Sequence, residues 1–153
     1  MADLSFSHIT GPSRISCSAS PADKEAALAI AVDLVTRDGG IPWPSQLLKD
    51  VMARERLAPT GIGEGVAVPH ALCDYVKETR MGILYLKKAL PFDAIDEIPV
   101  DLIFLITGPR SDYTGHLKLL SKLARLLNNA DFRTELRAAP DEESLYQVLA
   151  THD

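Results

Sequence analysis

Residues Val100–Thr107 read Val-Asp-Leu-Ile-Phe-Leu-Ile-Thr and are apolar almost throughout. A strand with so few polar residues is typical of the centre of a sheet whose two faces are both covered. Residues Met81–Leu86 form the other clear strand pattern, also rich in apolar side chains. The sequence therefore predicts a sheet with Val100–Thr107 near its middle.

Helical patterns occur on both sides of these strands along the chain. Ser20-Pro21 is typical of a helix start, with serine as the cap and proline in the first turn. A second helix opens near Pro44, a long one runs from Tyr113 to Asn128, and Pro140-Asp141 starts the last. Strands and helices alternate without a strict βαβ order. We predict an α/β fold in which a mixed central β-sheet is sandwiched by helices on both faces.

Length and composition limit the classes of protein that this chain can represent. Its 153 residues are 46% hydrophobic and 24% charged, which indicates one globular domain. We expect residues 1–14 to form a loose N-terminal arm, ending in Gly-Pro-Ser, and residues 15–153 to form the single domain. The two cysteines, Cys17 and Cys73, form no disulfide framework, which favours the cytoplasm and reduced thiols.

The net charge is −5, so nucleic acid and anionic membrane surfaces are not the expected partners. No apolar run approaches the roughly 20 residues of a transmembrane helix, and we expect no membrane insertion. Composition therefore indicates an acidic, cytosolic domain without indicating its activity.

A glycine-rich stretch, Thr60-Gly61-Ile62-Gly63-Glu64-Gly65, is the first candidate for a functional site. It is neither a dinucleotide fingerprint nor a P-loop, because the glycine spacing differs and no Gly-Lys-Ser/Thr follows. Alternating glycines allow positive φ and leave backbone N–H groups available to an anion. The alternative is that this stretch is only a tight connection between a helix and a strand. We expect it to be irregular, because it is too glycine-rich for a helix or a strand.

Two histidines are candidates for chemistry. His70 follows Pro69 just past a short predicted strand, so its imidazole is rigidly presented and suits a nucleophile or an acid/base group. His116 falls in the first turn of the long helix, where unpaired N–H groups favour an anion. The alternatives are a histidine that caps a loop and a histidine packed at the edge of the core.

Arg54 and Arg56 lie at the end of the second helix. A cation is favourable at a helix C-terminus without any functional role. The planar guanidinium group of arginine also matches phosphate oxygens, so either residue is a candidate for phosphate binding.

His70, Cys73 and His116 do not have the spacing of a zinc site, so we expect no metal. No GxSxG elbow supports a serine hydrolase.

The stretch Thr60–Ala71, T-G-I-G-E-G-V-A-V-P-H-A, resembles the active-site segment of the type 2 IIA domains of the phosphoenolpyruvate-dependent phosphotransferase system. Residues Phe92–Phe104 resemble the segment before the central strand in the nitrogen-regulatory branch of that family. Further matches begin at His116-Leu117 and at Leu136-Arg137. The resemblance covers about Ser16 to Leu149.

This resemblance implies roles for particular residues. His70 matches the phosphorylated histidine, His116 matches the second histidine that assists the phosphoryl group, and Arg54 matches the arginine that helps hold the phosphate. Ala71 departs from the glycine of many members. The turn containing Thr60, Gly61, Gly63 and Gly65 is then expected to bind phosphate.

The resemblance implies a histidine-containing phosphocarrier protein as the donor, and the phosphoryl group arrives activated, so no cofactor is expected. Since two proteins must bring their histidines together, we expect a shallow site with an apolar rim that includes Ile62 and Leu72. The first interpretation is a regulatory phosphocarrier of the nitrogen branch acting on target proteins. The alternatives are a sugar-specific subunit that passes phosphate to a fructose/mannitol-type IIB domain, and an interaction module with vestigial phosphotransfer. The sequence leaves the oligomeric state open.

Overall fold

A six-stranded mixed sheet forms the middle of the protein in the computed structural model, which describes residues 5–153. The helices are α1 (Phe6–Ile9), α2 (Lys24–Thr36), α3 (Pro44–Leu57), α4 (Tyr113–Leu127), α5 (Ala130–Ala138) and α6 (Glu142–Thr151). The strands are β1 (Ile15–Ser16), β2 (Gly61–Gly63), β3 (Val66–Ala67), β4 (His70–Cys73), β5 (Arg80–Leu90) and β6 (Val100–Pro109). Short 3-10 turns cover Pro12–Arg14 and Arg110–Asp112.

Strand β6 is the centre of the sheet, as the sequence predicts. It pairs antiparallel with β5 on one side, and on the other side it pairs in parallel with β3 and then with β4. Strand β1 extends the sheet beyond β5, and β2 extends it beyond β3. Both β3 and β4 therefore lie along the same edge of β6, and the chain between them crosses a short gap at Val68-Pro69.

Two apolar cores lie on opposite faces of this sheet. Ile103 and Leu105 of β6 pack into the core formed with α2 and α3. Leu102, Phe104 and Ile106 alternate with them and pack into the core formed with α4, α5 and α6. Because side chains alternate along a strand, one apolar strand supplies both cores. The prediction of a mixed sheet sandwiched by helices is confirmed.

The N-terminal residues are packed against the domain, so the prediction of a loose arm is wrong for residues 5–14. Phe6 and Ile9 of α1 are fully buried in the second core. The Phe6 N–H donates to the carboxylate of Asp153 at 2.9 Å, and Lys122 lies over the Phe6 ring at 4.3 Å from its centroid. Two apolar side chains and a capped backbone therefore hold this segment. Residues 1–4 of the predicted arm lie outside the described residues.

Two local predictions also need correction, and one helix was missed. Helix α2 begins at Lys24 and not at Pro21, because the Asp23 carboxylate caps it by accepting from the Ala26 N–H at 2.8 Å. The glycine-rich stretch is regular after all, since β2 pairs antiparallel with β3 as a short hairpin. Helix α5 was not predicted, although Asn129 caps it with its side chain and supplied a recognisable signal.

Candidate functional site

His70 lies past the short strand β3, as predicted, but it is itself the first residue of the next strand, β4, which the sequence did not predict. It pairs with Ile106 of β6, and the Ile106 N–H donates to the Pro69 carbonyl at 3.0 Å. Its Nδ1 lies 2.9 Å from the Val68 carbonyl oxygen. Since a carbonyl only accepts, Nδ1 carries the proton, and in the neutral ring Nε2 keeps its lone pair. The fold thus presents a half-buried imidazole in which Nε2 carries the lone pair.

His116 lies beside His70, with ring centroids 5.4 Å apart and planes tilted by 52°. It belongs to the first turn of α4, which Asp112 caps by accepting from the Gly115 N–H at 3.2 Å. His116 is only 4% exposed, and its Nδ1 has no hydrogen-bond partner among the residues that the structure describes. The structure therefore brings together the two histidines that the sequence predicted for one site.

Burial keeps both imidazoles neutral at neutral pH. It lowers the pKa of His70, and the Arg54 charge lowers that pKa further, although the Val68 hydrogen bond and the Glu55 carboxylate act in the opposite direction. Burial, together with the neighbouring His70, lowers the pKa of His116 to about 4. A neutral His70 has the free lone pair that a nucleophile requires.

An open pocket of about 610 Å³ is lined by both histidines and by two arginines, Arg54 and Arg110. Arg54 enters it from the end of α3, as predicted, with its Nη1 donating to the Ala58 carbonyl at 2.9 Å. Arg110, which sequence reasoning missed, lies 3.3 Å from Asp74 through its Nε. The only signal for Arg110 was its place directly after the central strand. The pocket therefore combines the His70 imidazole with two arginine side chains, a residue type whose planar fork suits phosphate oxygens.

Apolar side chains surround the mouth of this pocket. Leu57 is 84% exposed, Tyr113 59% and Leu117 46%, and all three line it. Leu72 also lines the pocket, as predicted, whereas Ile62 does not. Exposed apolar residues around a polar centre are typical of a surface that another protein covers.

The glycine-rich turn does not line this pocket, and its role as a phosphate-binding element stays a prediction. The residues Thr60, Gly61, Gly63 and Gly65 are all absent from the pocket lining. A Cβ on Gly61 would lie 2.8 Å from the Cβ of Ala94, and Gly63 and Gly65 have φ values of +97° and +79°. The glycines therefore serve close packing and the left-handed backbone of a tight hairpin.

Comparisons with known proteins agree with this geometry. The family model for the phosphoenolpyruvate-dependent sugar phosphotransferase system, EIIA 2, matches residues 9–152, and the chain belongs to this family. The match starts before residue 15, in keeping with the packed N-terminal segment. The boundaries of a single domain at residues 15–153 stay a prediction. Family membership makes the chain a phosphotransfer component of that system.

Relatives from both branches of the family match nearly the whole chain. A nitrogen regulatory protein of Pseudomonas aeruginosa is 33% identical over 95% of both chains. A fructose-specific EIIA component of Haloferax volcanii is 34% identical over 95% of this chain and 94% of its own length. The crystal structure of the nitrogen regulatory protein IIA-Ntr from Neisseria meningitidis has a TM-score of 0.85 at 30% identity, covering 90% of this chain and 94% of that one. The resemblance predicted from the sequence is confirmed.

His116 should make the protein less stable as the pH falls from about 6.5 towards about 4. The unfolded chain binds a proton on this ring near the ordinary pKa of 6.5, whereas the folded protein does so only near 4. Between these values the unfolded state binds more protons, so the free energy of unfolding decreases as the pH falls. From about pH 7.5 to about pH 5 the loss from this one group is about 2 kcal/mol.

Urea unfolding of the wild type and of His116→Gln at the two pH values measures this contribution. The variant should lose about 2 kcal/mol less than the wild type over the same interval, because it lacks the titrating ring. Equal losses in the two proteins would show that the His116 pKa is not depressed in the folded state.

Proposed function

We propose that Nε2 of His70 accepts a phosphoryl group from a histidine-containing phosphocarrier protein and that the chain signals through its phosphorylation state. The observation that carries this proposal is the hydrogen bond from Nδ1 to the Val68 carbonyl, which leaves Nε2 as the free lone pair. In the reaction the bond between phosphorus and the donor imidazole breaks as the bond to Nε2 forms. The donor ring regains its lone pair and leaves neutral once protons have equilibrated with water.

The two other predicted site residues stabilise the transferred group in this proposal. His116 is neutral, and with its proton on the ring nitrogen opposite the buried Nδ1 it donates a hydrogen bond to a phosphoryl oxygen. The hydrogen bond from Arg54 to the Ala58 carbonyl is exposed, so Arg54 can give it up and donate to a phosphate oxygen instead. Phosphoryl transfer needs alignment and charge stabilisation more than covalent help, and this pocket offers both.

The surroundings of the pocket support a protein as the donor. Leu57, Tyr113 and Leu117 form an exposed apolar rim, and the pocket is open enough for a second imidazole to approach His70. The net charge of the chain, −5, suits a donor with a basic face. We place the exchange in the cytoplasm, since Cys17 and Cys73 are both free thiols. No helix in the described part of the chain is long and apolar enough to cross a bilayer.

Signalling follows from the change in charge. A phosphoryl group adds about −1.5 to −2 charges beside an apolar rim, which alters the partners that this surface can bind. The relative named as a nitrogen regulatory protein supports this regulatory role. The fructose-specific relative supports the second candidate, a sugar subunit that passes the group on to a fructose/mannitol-type IIB domain.

Incubation with phosphoenolpyruvate, the first enzyme of the system and the histidine phosphocarrier tests the proposal. We expect acid-labile phosphate on the protein at a stoichiometry near one. Label that stays on the protein in the presence of a IIB domain supports the regulatory role. Rapid loss of label to that domain favours the sugar route instead, and absence of label overturns both and leaves an interaction module with vestigial phosphotransfer.

A further inference from the structure

A buried carboxylate outside the pocket is bonded to the start of the hairpin that leads to His70. Glu55, near the end of α3, is 6% exposed. One of its oxygens accepts the Thr60 N–H at 2.9 Å, and the other accepts the Thr60 hydroxyl. Lys24 of α2 lies 2.8 Å from the same carboxylate and compensates its charge. A carboxylate buried this completely is stable only because all of these partners are in place.

The backbone continues this chain of contacts from Thr60 to the imidazole. The Val68 N–H donates to the Thr60 carbonyl at 3.0 Å, which ties the end of the hairpin to its beginning. The carbonyl of the same Val68 accepts the Nδ1 proton of His70. Glu55 therefore fixes Thr60, Thr60 fixes Val68, and Val68 fixes the ring, in three successive hydrogen-bonded steps.

We propose that Glu55 is a positioning residue for His70: by holding Thr60 it keeps the Val68 carbonyl where it selects the tautomer with the proton on Nδ1. The proposal rests on the proposed role of His70 as the nucleophile. The ring keeps a single tautomer only while one of its nitrogens has a fixed acceptor, because the two neutral forms are otherwise close in energy. A shift of the carbonyl releases the proton to either nitrogen, and Nε2 then holds a proton in part of the molecules.

The contacts of Lys24 provide a control that separates this role from general stability. Besides Glu55, Lys24 reaches Asp93 at 3.6 Å and the Phe92 carbonyl at 3.3 Å. Asp93 is 79% exposed at its side chain, and the hydrogen bonds of Thr60 go to Glu55 and Val68. Asp93→Asn therefore removes an ion pair of the same lysine but leaves the hydrogen bonds between Glu55 and Thr60 in place.

The test uses the full chain labelled with ¹⁵N and records two-bond proton–nitrogen correlations of the His70 ring. Thr60→Val removes the hydroxyl that donates a hydrogen bond to Glu55 and keeps the shape of the side chain. Thr60→Ser, in contrast, keeps the hydroxyl. We expect the wild type, Thr60→Ser and Asp93→Asn to show one tautomer. Thr60→Val and Glu55→Ala should show a mixture, with the rate of phosphorylation lowered by about tenfold or more.

Folded Thr60→Val and Glu55→Ala proteins with wild-type ring shifts would overturn the proposal, as would a Thr60→Ser protein that behaves like Thr60→Val. If Glu55→Ala fails to fold, the Thr60 pair decides the question alone. The tautomer is read without any phosphoryl donor. A wild type that takes no label but shows the Glu55-dependent tautomer therefore contradicts the proposed function and leaves the positioning role in place.

Discussion

His70→Gln should carry no acid-labile phosphate under conditions that label the wild type fully. Glutamine offers an amide of similar size, but its nitrogen has no lone pair free for attack on phosphorus, and its oxygen is a poor nucleophile. The expected effect is complete loss of labelling, the largest that any single change in this pocket can produce. Labelling with radioactive phosphoenolpyruvate, followed by acid and base treatment, measures it.

His152→Gln is the matched control for this prediction. His152 is an exposed residue that contacts Glu135 at 3.1 Å and lies against the Phe132 ring. It is not part of the pocket lining. Its replacement should leave labelling unchanged, because only a ring with a fixed free nitrogen beside the two arginines is expected to react. Equal labelling of the wild type and His70→Gln would show that another residue is phosphorylated.

His116→Ala should slow phosphoryl transfer to His70 by about 100-fold while leaving the same residue phosphorylated. Removal of one hydrogen-bond donor to a developing anionic oxygen in other enzymes costs about 10²–10³ in rate. His116 is the neutral group whose ring is 5.4 Å from that of His70, so it fits this role. Rapid-quench measurement of label transfer from the phosphocarrier gives the rate, and mass spectrometry gives the site.

Leu119→Ala separates this catalytic effect from loss of stability. Leu119 belongs to the same helix, is 2% exposed and packs into the core away from the pocket. It should lower the free energy of unfolding by about 2–5 kcal/mol, as large-to-small core changes do. Its rate of transfer at a temperature where it is folded should stay close to that of the wild type. An equal fall in rate for both variants would indicate that His116 acts only through packing.

The parts of the fold that were predicted correctly are those with a strong local signal. Val100–Thr107 has apolar residues at both odd and even positions, so both faces of the strand are apolar. Such a strand is stable only where both faces of the sheet are covered. The helix at Tyr113 was placed within one residue because its apolar stripe is long. The prediction of a loose N-terminal arm was wrong because Phe6 is held by contacts with Lys122 and Asp153, which are far away in the sequence.

The site shows the same division between local and distant information. His70, His116 and Arg54 were found from their motifs, and the structure brings all three to one pocket. The glycine-rich turn lies outside the pocket lining, and glycine spacing does not say whether a turn faces a ligand or a neighbouring loop such as that at Ala94. Arg110 was missed, since no local pattern distinguishes an arginine beside a pocket from one in solvent.

The gap in strand pairing at Val68-Pro69 has a consequence for how the site tolerates sequence change. The group that orients the His70 ring is a main-chain carbonyl, and it lies between β3 and β4. Proline at position 69 has no N–H that could offer the ring nitrogen a competing contact. A substitution at position 68 alters the apolar contacts of that residue but cannot delete the acceptor. The tautomer of the imidazole is therefore set by the path of the backbone, and a point mutation changes it only by shifting that path.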